Sequence, residues 1–494
     1  MLLGISGYLY LNLFQLPTVP ILLSGDQTYF WMNGQRMLHG ERPYLDFFQF
    51  TPPGADVLYF GLFKAFGPRI LPLNFTVLVL GVMLSWLCFI IAEQMMERHL
   101  ALLSALLFLS LVYTRLLNAT HHYFSVLAVM GATALLMRET SPRRLAAAGA
   151  LLGVASWFTQ THGATVLLAF TFFLGWEQYR THGSWRSFWR EERILFLSFT
   201  IALLIMNAPF IASVGVKQLW YCQITYVRKV MVHLPETRLL GIPQYANWRT
   251  LPLLFVIADY GRHFLVYGML PTVYLLVLMR CWREQFFPAF CFRKAALLGL
   301  VGSFLLGELI FSLNWLRVYA VSMAGIILFI WAISTSTRFR RSGLISVWAL
   351  VVLLGFLQPW FTQHRKYITA EMPAGRTAIE PEDAEKLSWG IEHTTPGEFL
   401  FQASSPSMYI PLGVRNPVFL DTASTMFNSQ WVEWTIQQLE AKQVHYIIWA
   451  ERLDYPVNLR RPITVNILPL RNYLHTRYQL TRRFQDGDEV WERR

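Results

Sequence analysis

The chain has 494 residues, of which 54% are hydrophobic and 15% are charged, and its formal net charge is +12. A soluble chain carries about 25% charged residues, so the composition excludes an ordinary soluble protein and predicts a polytopic α-helical membrane protein. The basic excess does not indicate nucleic-acid binding, because most of it lies in short loops between apolar segments, where membrane topology explains it. The four cysteines form no CxxC or Cys/His cluster, so they predict no metal site.

Apolar segments approach the length of about 20 residues that a membrane span needs. They predict about 11 spans, near 3–23, 70–92, 99–116, 121–137, 145–159, 163–177, 194–214, 263–280, 295–313, 316–334 and 342–361. Lys and Arg are concentrated in alternate loops, which are therefore cytoplasmic. With the N-terminus inside, the loops 24–69 and 215–262 and everything after residue 362 lie outside. The first segment is interpreted as a retained span, because no small-residue cleavage site follows it.

The polar tail, residues 363–494, shows alternating helix and strand patterns. Helices are predicted over 381–394 and 429–443, and strands over 398–404, 417–421 and 445–450. Alternating helices and strands predict a small α/β domain. The chain is therefore divided into a transmembrane domain, 1–362, which includes the loop 24–69, and a soluble extracytoplasmic domain, 363–494.

The loop 24–69 is long, rich in aromatic residues and carries four carboxylates. Asp26 follows the first predicted span, and an amphipathic surface helix is predicted to run from there to Gly40. A second helix is predicted to start at Pro52-Pro53, where proline suits the first turn, and to end at Gly67. The loop thus has the features of a site built at a membrane surface.

This loop resembles that of bacterial GT-C superfamily glycosyltransferases. The matching residues are Gly25-Asp26, Tyr29, Gly40, Pro43-Tyr44, Asp46-Phe47 and Pro52-Pro53-Gly54. The most similar members are the dolichyl-phosphate-mannose mannosyltransferase-like and aminoarabinose-transferase-like proteins. The tail is similar to theirs at Ala374-Gly375-Arg376, Thr395-Pro396-Gly397-Glu398 and 489–493. The resemblance implies a multi-pass protein of the bacterial inner membrane that uses a polyprenyl-phosphate-linked sugar.

Such a transfer needs a base for the acceptor hydroxyl and cations for the departing phosphate. By its matching position, Asp26 is the candidate base, and partial desolvation at the membrane surface would raise its basicity. The expected outcome is inversion by direct displacement. Asp26 has a second interpretation as an ordinary helix cap. Asp46 is a second candidate for the catalytic site, or a partner of Arg42 or Arg36.

The other carboxylates of the loop, Glu41 and Asp56, are interpreted as solvated or capping residues. Tyr44 belongs to the matching motif and is a candidate for substrate binding. Phosphate binding is expected from Arg317 with Tyr319, although Arg317 also suits a boundary residue whose side chain reaches water. Lys217 is a further phosphate candidate or the anchor of a surface helix.

Two more candidates for substrate binding lie in apolar segments. Glu308 is a carboxylate within a predicted span, where such groups usually face a cavity. It would line a donor groove, pair with Arg317, or form a structural hydrogen bond between helices. His122, next to His121, would be an interfacial hydrogen-bonding residue or a metal ligand, but no third ligand is apparent in the sequence.

No cofactor is predicted, and no ligand spacing supports a divalent metal. The expected partners are a polyprenyl-phosphate-linked sugar, membrane lipids and an acceptor that is a lipid, a glycan or a protein. Two other functions stay open. One is a transporter or flippase of lipid-linked glycans, although the chain shows no clear internal repeat. The other is a non-catalytic envelope assembly protein, which would not account for Asp26.

Overall fold

The structure is a computed structural model, and it describes residues 1–138, 140–230, 253–283, 290–311, 314–423, 426, 428–454 and 467–494. Part of the predicted outer loop 215–262, residues 231–252, lies outside the described residues, as do the last two residues of the predicted span 295–313.

The described residues up to His364 are mostly helical. The helices are α1 (Leu2–Leu13), α2 (Gln27–Leu38), α3 (Gly54–Phe66), α4 (Ile70–Glu93), α5 (Arg98–Leu107), α6 (His121–Leu136), α7 (Pro142–Phe158), α8 (Gln160–Arg180), α9 (Trp185–Trp220), α10 (Val227–Lys229), α11 (Leu253–Arg283), α12 (Phe290–Glu308), α13 (Trp315–Ala320), α14 (Met323–Thr335) and α15 (Arg340–His364).

Five helical stretches in the described part of the chain are long and apolar enough to cross a membrane: Ile70–Glu93, Arg98–Leu116, Trp185–Lys229, Asp259–Arg283 and Arg340–His364. The first predicted span, near 3–23, is helical only over α1. The chain then forms a short antiparallel pair, β1 (Phe14–Gln15) with β2 (Val19–Pro20), because Pro17 and Pro20 cannot continue a helix. The protein is thus a multi-span helical membrane protein, and the count of about 11 stays a prediction.

The tail combines a mixed sheet with helices. Its strands are β3 (Ile368–Met372), β4 (Gly375–Ile379), β5 (Leu400–Gln402), β6 (Tyr446–Trp449), β7 (Tyr478–Arg483) and β8 (Glu489–Arg493), and its helices are α16 (Pro381–His393), α17 (Tyr409–Leu412), α18 (Ser429–Ala441) and α19 (Leu468–Arg477). The order in the sheet is β5-β6-β8-β7. Strands β5 and β6 are parallel and the other pairs antiparallel, while β3 and β4 form a separate hairpin.

Most of the elements predicted for the tail are observed. The predicted helices correspond to α16 and α18, and two of the predicted strands to β5 and β6. The predicted strand over 417–421 is wrong, because these residues form a bend. There the carbonyl of Phe419 accepts a hydrogen bond from the backbone of Phe48, and its own N–H donates to Gln438 Oε1.

Contacts divide the chain into two compact units. The helical unit comprises Met1–Asn12, Leu78–Pro209 and Glu236–Phe361, and the mixed unit comprises Leu13–Val77, Phe210–Pro235 and Thr362–Arg494. The loop 24–69, which the sequence-based division assigned to the transmembrane domain, thus groups with the tail. The proposed domain boundary at residue 362 itself stays a prediction.

Within the helical unit, small residues let neighbouring helices approach closely. A Cβ atom added to Gly149 of α7 would lie 2.3 Å from the Leu195 carbonyl oxygen of α9. One turn later, a Cβ atom on Gly153 would lie 2.7 Å from the Phe199 carbonyl oxygen. These two glycines therefore fix the packing of α7 against α9.

Within the mixed unit, helices α2 and α3 pack on each other and on the tail. Gly34 on α2 allows this, since a Cβ atom there would lie 2.8 Å from Cβ of Tyr59 on α3. Met32 of α2 belongs to a hydrophobic core with tail residues such as Leu387 and Tyr409. Tyr44 and Phe48, between α2 and α3, belong to a second core with residues of β6 and α18.

Candidate functional site

Asp26 lies at the N-cap position of α2, where its second interpretation puts it, but its side chain makes no capping hydrogen bond to the helix. It is exposed in the protein alone. The desolvation expected of a base at this position is therefore not supplied by the protein itself and would have to come from the bilayer or a bound substrate. The face of α2 behind Asp26 is buried and carries polar side chains, among them Asn33 and Arg36.

Asp56, on the first turn of α3, is the most deeply buried acid of the loop, with 0% exposure. Its Oδ1 accepts a hydrogen bond from Asn33 Nδ2 at 3.2 Å, and its Oδ2 accepts one from Gln49 Nε2 at 2.8 Å. The interpretation of Asp56 as a solvated residue is wrong, although its place in the first helical turn is as predicted. The reason is that α2 packs on α3 and covers the carboxyl group.

A second buried acid, Asp421, comes from the tail. It is 5% exposed, and its Oδ1 has no hydrogen-bond partner. Burial raises the pKa of Asp421 to about 7, and the positive charge of Arg36 opposes that rise. Burial also raises the pKa of Asp56 to about 8, against the hydrogen bonds from Gln49 and Asn33, and the charge of Asp421 raises it further. The two acids therefore lie close enough to repel each other when ionised.

Glu41 joins α2 to the tail by two ion pairs. Its Oε2 accepts from Arg36 Nε at 2.7 Å and its Oε1 from Arg415 Nη2 at 3.2 Å, and its side chain is 18% exposed. The interpretation of Glu41 as a solvated residue is therefore also wrong, because the tail covers this end of α2. Arg36 also donates through Nη2 to the carbonyl oxygen of Asp46, while its buried Nη1 has no hydrogen-bond partner.

Asp46 makes one of the two pairs expected of it. Its Oδ2 accepts hydrogen bonds from the backbone N–H of Arg42 at 2.8 Å and from Arg42 Nε at 3.1 Å. The Asp46 side chain is 37% exposed, so a substrate can reach it. This carboxylate fixes the turn after α2 and faces solvent.

Tyr44 is buried, with 1% exposure and a left-handed backbone at φ 68°. Its hydroxyl donates to the carbonyl oxygen of Thr51 at 2.7 Å and accepts from Gln223 Nε2 at 3.0 Å. Its carbonyl oxygen accepts from Gln218 Nε2. Lys217, next to Gln218, is exposed and follows a break in the helix at Gly215.

The helical unit carries the other candidates. Tyr319 is buried on α13, and its ring lies edge-on to Trp315 with centroids 5.8 Å apart. Arg317, on the same helix, is half-buried and interacts electrostatically with His122 and His162. Tyr319 in turn interacts with an ion-pair network that the sequence did not predict, consisting of Arg115, Asp259 and Arg262.

Glu308, at the end of α12, accepts a hydrogen bond from the hydroxyl of Thr161 on α8. The same carboxylate lies 3.7 Å from His162 Nε2, and its Oε2 has no hydrogen-bond partner. This geometry matches the predicted hydrogen bond between helices. His162 lies 5.5 Å from His122 between ring centroids, so α6, α8 and α12 bring polar side chains together.

A cavity of about 270 Å³ lies in the helical unit between α1, α5 and α15. Most of its lining residues are apolar, and Tyr8 and Ser110 carry hydroxyl groups. The residues that line it are Met1, Gly4, Ile5, Tyr8, Leu102, Leu106, Leu109, Ser110, Val351 and Gly355. Tyr8 interacts electrostatically with Arg262. The cavity thus combines apolar walls with a nearby cation.

Within the described ranges, no group of three or more His, Cys, Asp or Glu side chains is arranged to hold a metal ion. The residues that sequence reasoning missed are Asp421 in the mixed unit and Asp259 with Arg115 and Arg262 in the helical unit, and Arg36 was considered only as a partner of Asp46. A charged residue such as Asp259 close to an apolar segment was a signal that could have been used.

No protein-family model and no curated protein sequence matches the chain. Solved structures do match over its whole length. ArnT from Cupriavidus metallidurans, bound to undecaprenyl phosphate, matches with a TM-score of 0.60 at 13% identity, covering 99% of this chain and 97% of that one. The oligosaccharyltransferase AglB from Archaeoglobus fulgidus, in complex with an inhibitory peptide and a dolichol-phosphate, matches with a TM-score of 0.56 at 11% identity. That match covers 100% of this chain and 74% of AglB.

Proposed function

Since the chain has the fold of the GT-C superfamily membrane glycosyltransferases, we propose that it transfers a sugar from a polyprenyl-phosphate donor to an acceptor. We place the reaction on the outer face of a bacterial inner membrane, with the tail on that face as well. The observation that carries this proposal is the full-length likeness to two enzymes whose structures contain undecaprenyl phosphate and dolichol-phosphate.

Asp26 is the proposed general base. Its exposed position at the start of a surface helix leaves the carboxylate accessible to an acceptor hydroxyl. In the step we propose, Asp26 takes the hydroxyl proton while the acceptor oxygen forms a bond to the anomeric carbon. The bond from that carbon to the phosphate oxygen breaks, and polyprenyl phosphate leaves with the electron pair. One displacement inverts the anomeric configuration.

The leaving phosphate needs cations, because charge develops on its oxygen. In the helical unit, the proposed phosphate-binding residue is Arg317, with Tyr319 on the same helix. In the mixed unit, the proposed phosphate-binding residue is Lys217. Glu308 and His122 belong to the polar cluster around Arg317 and would contact the donor there. The apolar cavity near Tyr8 suits part of a prenyl chain, because its walls are mostly hydrocarbon.

Asp46 and Tyr44 complete the proposed set in the loop. Asp46 is partly exposed and can accept hydrogen bonds from sugar hydroxyls. Tyr44 is buried, so it would act on a substrate only through the backbone that it holds.

The reaction is testable with the purified protein in nanodiscs. Mass spectrometry of polyprenyl-phosphate sugars from cells with and without the protein identifies the donor, which should accumulate in cells that lack it. That donor, radiolabelled in the sugar, is then supplied with membrane extract as acceptor. Release of polyprenyl phosphate together with a labelled product of inverted configuration is the expected result.

The base is tested with Asp26→Asn. General base catalysis contributes about 10² to 10⁴-fold, so turnover should fall by that factor while the thermal unfolding profile stays unchanged. The matched control is Glu371→Gln, which alters an acid with a 78% exposed side chain. Unchanged turnover in Asp26→Asn overturns the base assignment. Movement of a lipid-linked glycan across the bilayer without any transfer would favour the transporter alternative.

A further inference from the structure

The buried carboxyl group of Asp56 is unusual because no cation among the described residues is paired with it. In the described part of the chain, its hydrogen bonds come from the neutral amides of Asn33 and Gln49. The charge that acts on it is that of Asp421, which is negative when that acid is ionised. Arg36, a buried cation of α2, is paired with Glu41 and acts on Asp421. An ionised Asp56 would therefore be a buried charge without a counter-charge, which is strongly unfavourable.

The hydrogen bonds around Asp56 also favour its neutral, protonated form. An ionised carboxylate only accepts hydrogen bonds, and both of its oxygens accept from amides here. Asn33 Oδ1, however, is buried without any hydrogen-bond partner. Rotating the Asn33 amide by half a turn exchanges its oxygen and nitrogen. A protonated Asp56 can then donate its O–H to Asn33 Oδ1, which satisfies the buried acceptor.

We propose that Asp56 is a positioning residue that works as a neutral carboxylic acid, whose hydrogen bond to Asn33 holds α2, and with it Asp26, in place. This inference rests on the proposed function. Asn33 and Asp26 are seven residues apart on α2, or about 10 Å along the helix axis. Asp56 itself does not contact substrate. It fixes the helix from the buried side, while Asp26 stands at the exposed end.

The pH dependence follows from the groups that face Asp56. They are Asn33 from α2, Gln49 and the Tyr44 hydroxyl from the segment between α2 and α3, and Asp421 from the tail. Burial outweighs the opposing hydrogen bonds from Gln49 and Asn33 and raises the pKa of Asp56 from 3.8 to about 8. Asp56 is thus neutral below about pH 8 in the folded protein and ionises above it. Activity should fall about tenfold per pH unit on that alkaline side.

Stability gives a readout that does not depend on activity. Between pH 4 and 8, the folded state keeps a proton on Asp56 that the unfolded chain releases, because the pKa is raised on folding. Stability from this group is complete below the unfolded pKa and is lost as the pH rises towards about 8. Wild-type protein should therefore lose stability from pH 6 to 9 relative to Asp56→Asn, which cannot ionise.

The experiment compares three variants with wild type in nanodiscs, by transfer rate and thermal unfolding from pH 6 to 10. Asp56→Asn should keep its activity at alkaline pH. Asp421→Asn should move the alkaline decline to lower pH, because it removes the negative charge that raises the pKa of Asp56. Glu371→Gln should follow wild type. If Asp56→Asn does not fold, the exchange Asn33→Asp with Asp56→Asn restores one acid and one amide to the same contact, and should recover the alkaline decline.

An alkaline decline in Asp56→Asn like that of wild type would overturn the inference. So would loss of activity at every pH in a folded Asp56→Asn, because that would show that the charged form is needed. Absence of transfer by wild type at all pH values would sink the proposed function alone. In that case the pH dependence of unfolding still decides whether Asp56 is neutral. If Asp56→Asn loses stability with rising pH as steeply as wild type does, the neutral state of Asp56 is overturned too.

Discussion

Arg415 of the tail donates a hydrogen bond of 3.2 Å to Glu41, which follows helix α2. Glu41 accepts a second hydrogen bond from Arg36 on that helix. Asn416, the next residue of the tail, donates to the sulfur of Met32, also on α2. The tail therefore holds the helix that carries Asp26 by direct contacts within the mixed unit. This gives the tail a role in positioning α2 in addition to any role in acceptor recognition.

Glu41→Gln should destabilise the protein by about 1–2 kcal/mol. The substitution removes the negative charge between Arg36 and Arg415, so Arg36, whose side chain is 4% exposed, loses the carboxylate that pairs with it. Exposed ion pairs contribute about 0–1 kcal/mol, and partly buried ones more. Thermal or denaturant unfolding in nanodiscs measures the effect.

The matched control is Glu371→Gln, whose pair with Arg376 is mostly exposed, and it should cost less than about 0.5 kcal/mol. A double-mutant cycle with Arg415→Gln isolates the contact with the tail. If Glu41→Gln and Arg415→Gln are strictly additive, the two residues do not couple, and the proposed positioning by the tail is wrong.

Tyr44→Phe should lower stability by about 1–3 kcal/mol, because it leaves the buried Thr51 carbonyl and Gln223 amide without the hydroxyl that joins them. Any decline in sugar transfer by the folded variant should follow from the reduced order of the segment before α3, and not from a lost contact with substrate. Tyr179→Phe, at a tyrosine that is 68% exposed, is the control. A large loss of transfer with unchanged unfolding would instead indicate direct contact with substrate, despite the burial of Tyr44.

The local elements of the loop follow from its sequence. Gly40 and Gly67 end α2 and α3 with positive φ angles of 86° and 76°, and Pro53 precedes the first turn of α3, as the turn signals predict. Likewise, the predicted helices of the tail are observed because their apolar residues repeat with helical spacing. These features depend only on residues close together in the chain.

The burial of Asp56 could not be predicted in the same way. Its carboxyl is covered because α2 packs on α3 at Gly34, and because Asp421 comes from more than 300 residues away along the chain. The hydrogen bonds between Tyr44 and Gln223 and between Glu41 and Arg415 also join residues that are far apart in the sequence. Local pattern shows which residues are acidic, but tertiary packing decides which acids are neutral, paired or exposed. The candidate base was therefore predicted by position, whereas its supporting residues were not.

Glu308→Ala should destabilise the protein by about 1–3 kcal/mol. It removes the acceptor of the Thr161 hydroxyl and the acid beside the buried His162, and polar groups inside a membrane protein depend on such partners. Glu97→Gln, with a 68% exposed side chain, is the control. Unfolding in nanodiscs distinguishes a structural role of Glu308 from contact with the sugar donor. Unchanged stability with a higher KM for the donor would assign Glu308 to the donor site instead.

Arg317→Gln should raise the KM for the polyprenyl-phosphate sugar about 10- to 100-fold, which corresponds to losing a hydrogen bond to a charged group. Arg317→Lys keeps the charge but not the planar fork that suits phosphate oxygens, so it should recover only part of the affinity. Arg338→Gln alters an exposed arginine and should behave as wild type. The lost affinity should be for the phosphate and not for the sugar. Polyprenyl phosphate without a sugar should therefore inhibit wild type, and it should inhibit Arg317→Gln more weakly by the same factor as the rise in KM. Equal inhibition of the two proteins would mean that Arg317 does not bind the phosphate, and Lys217→Gln would then be the next variant to measure.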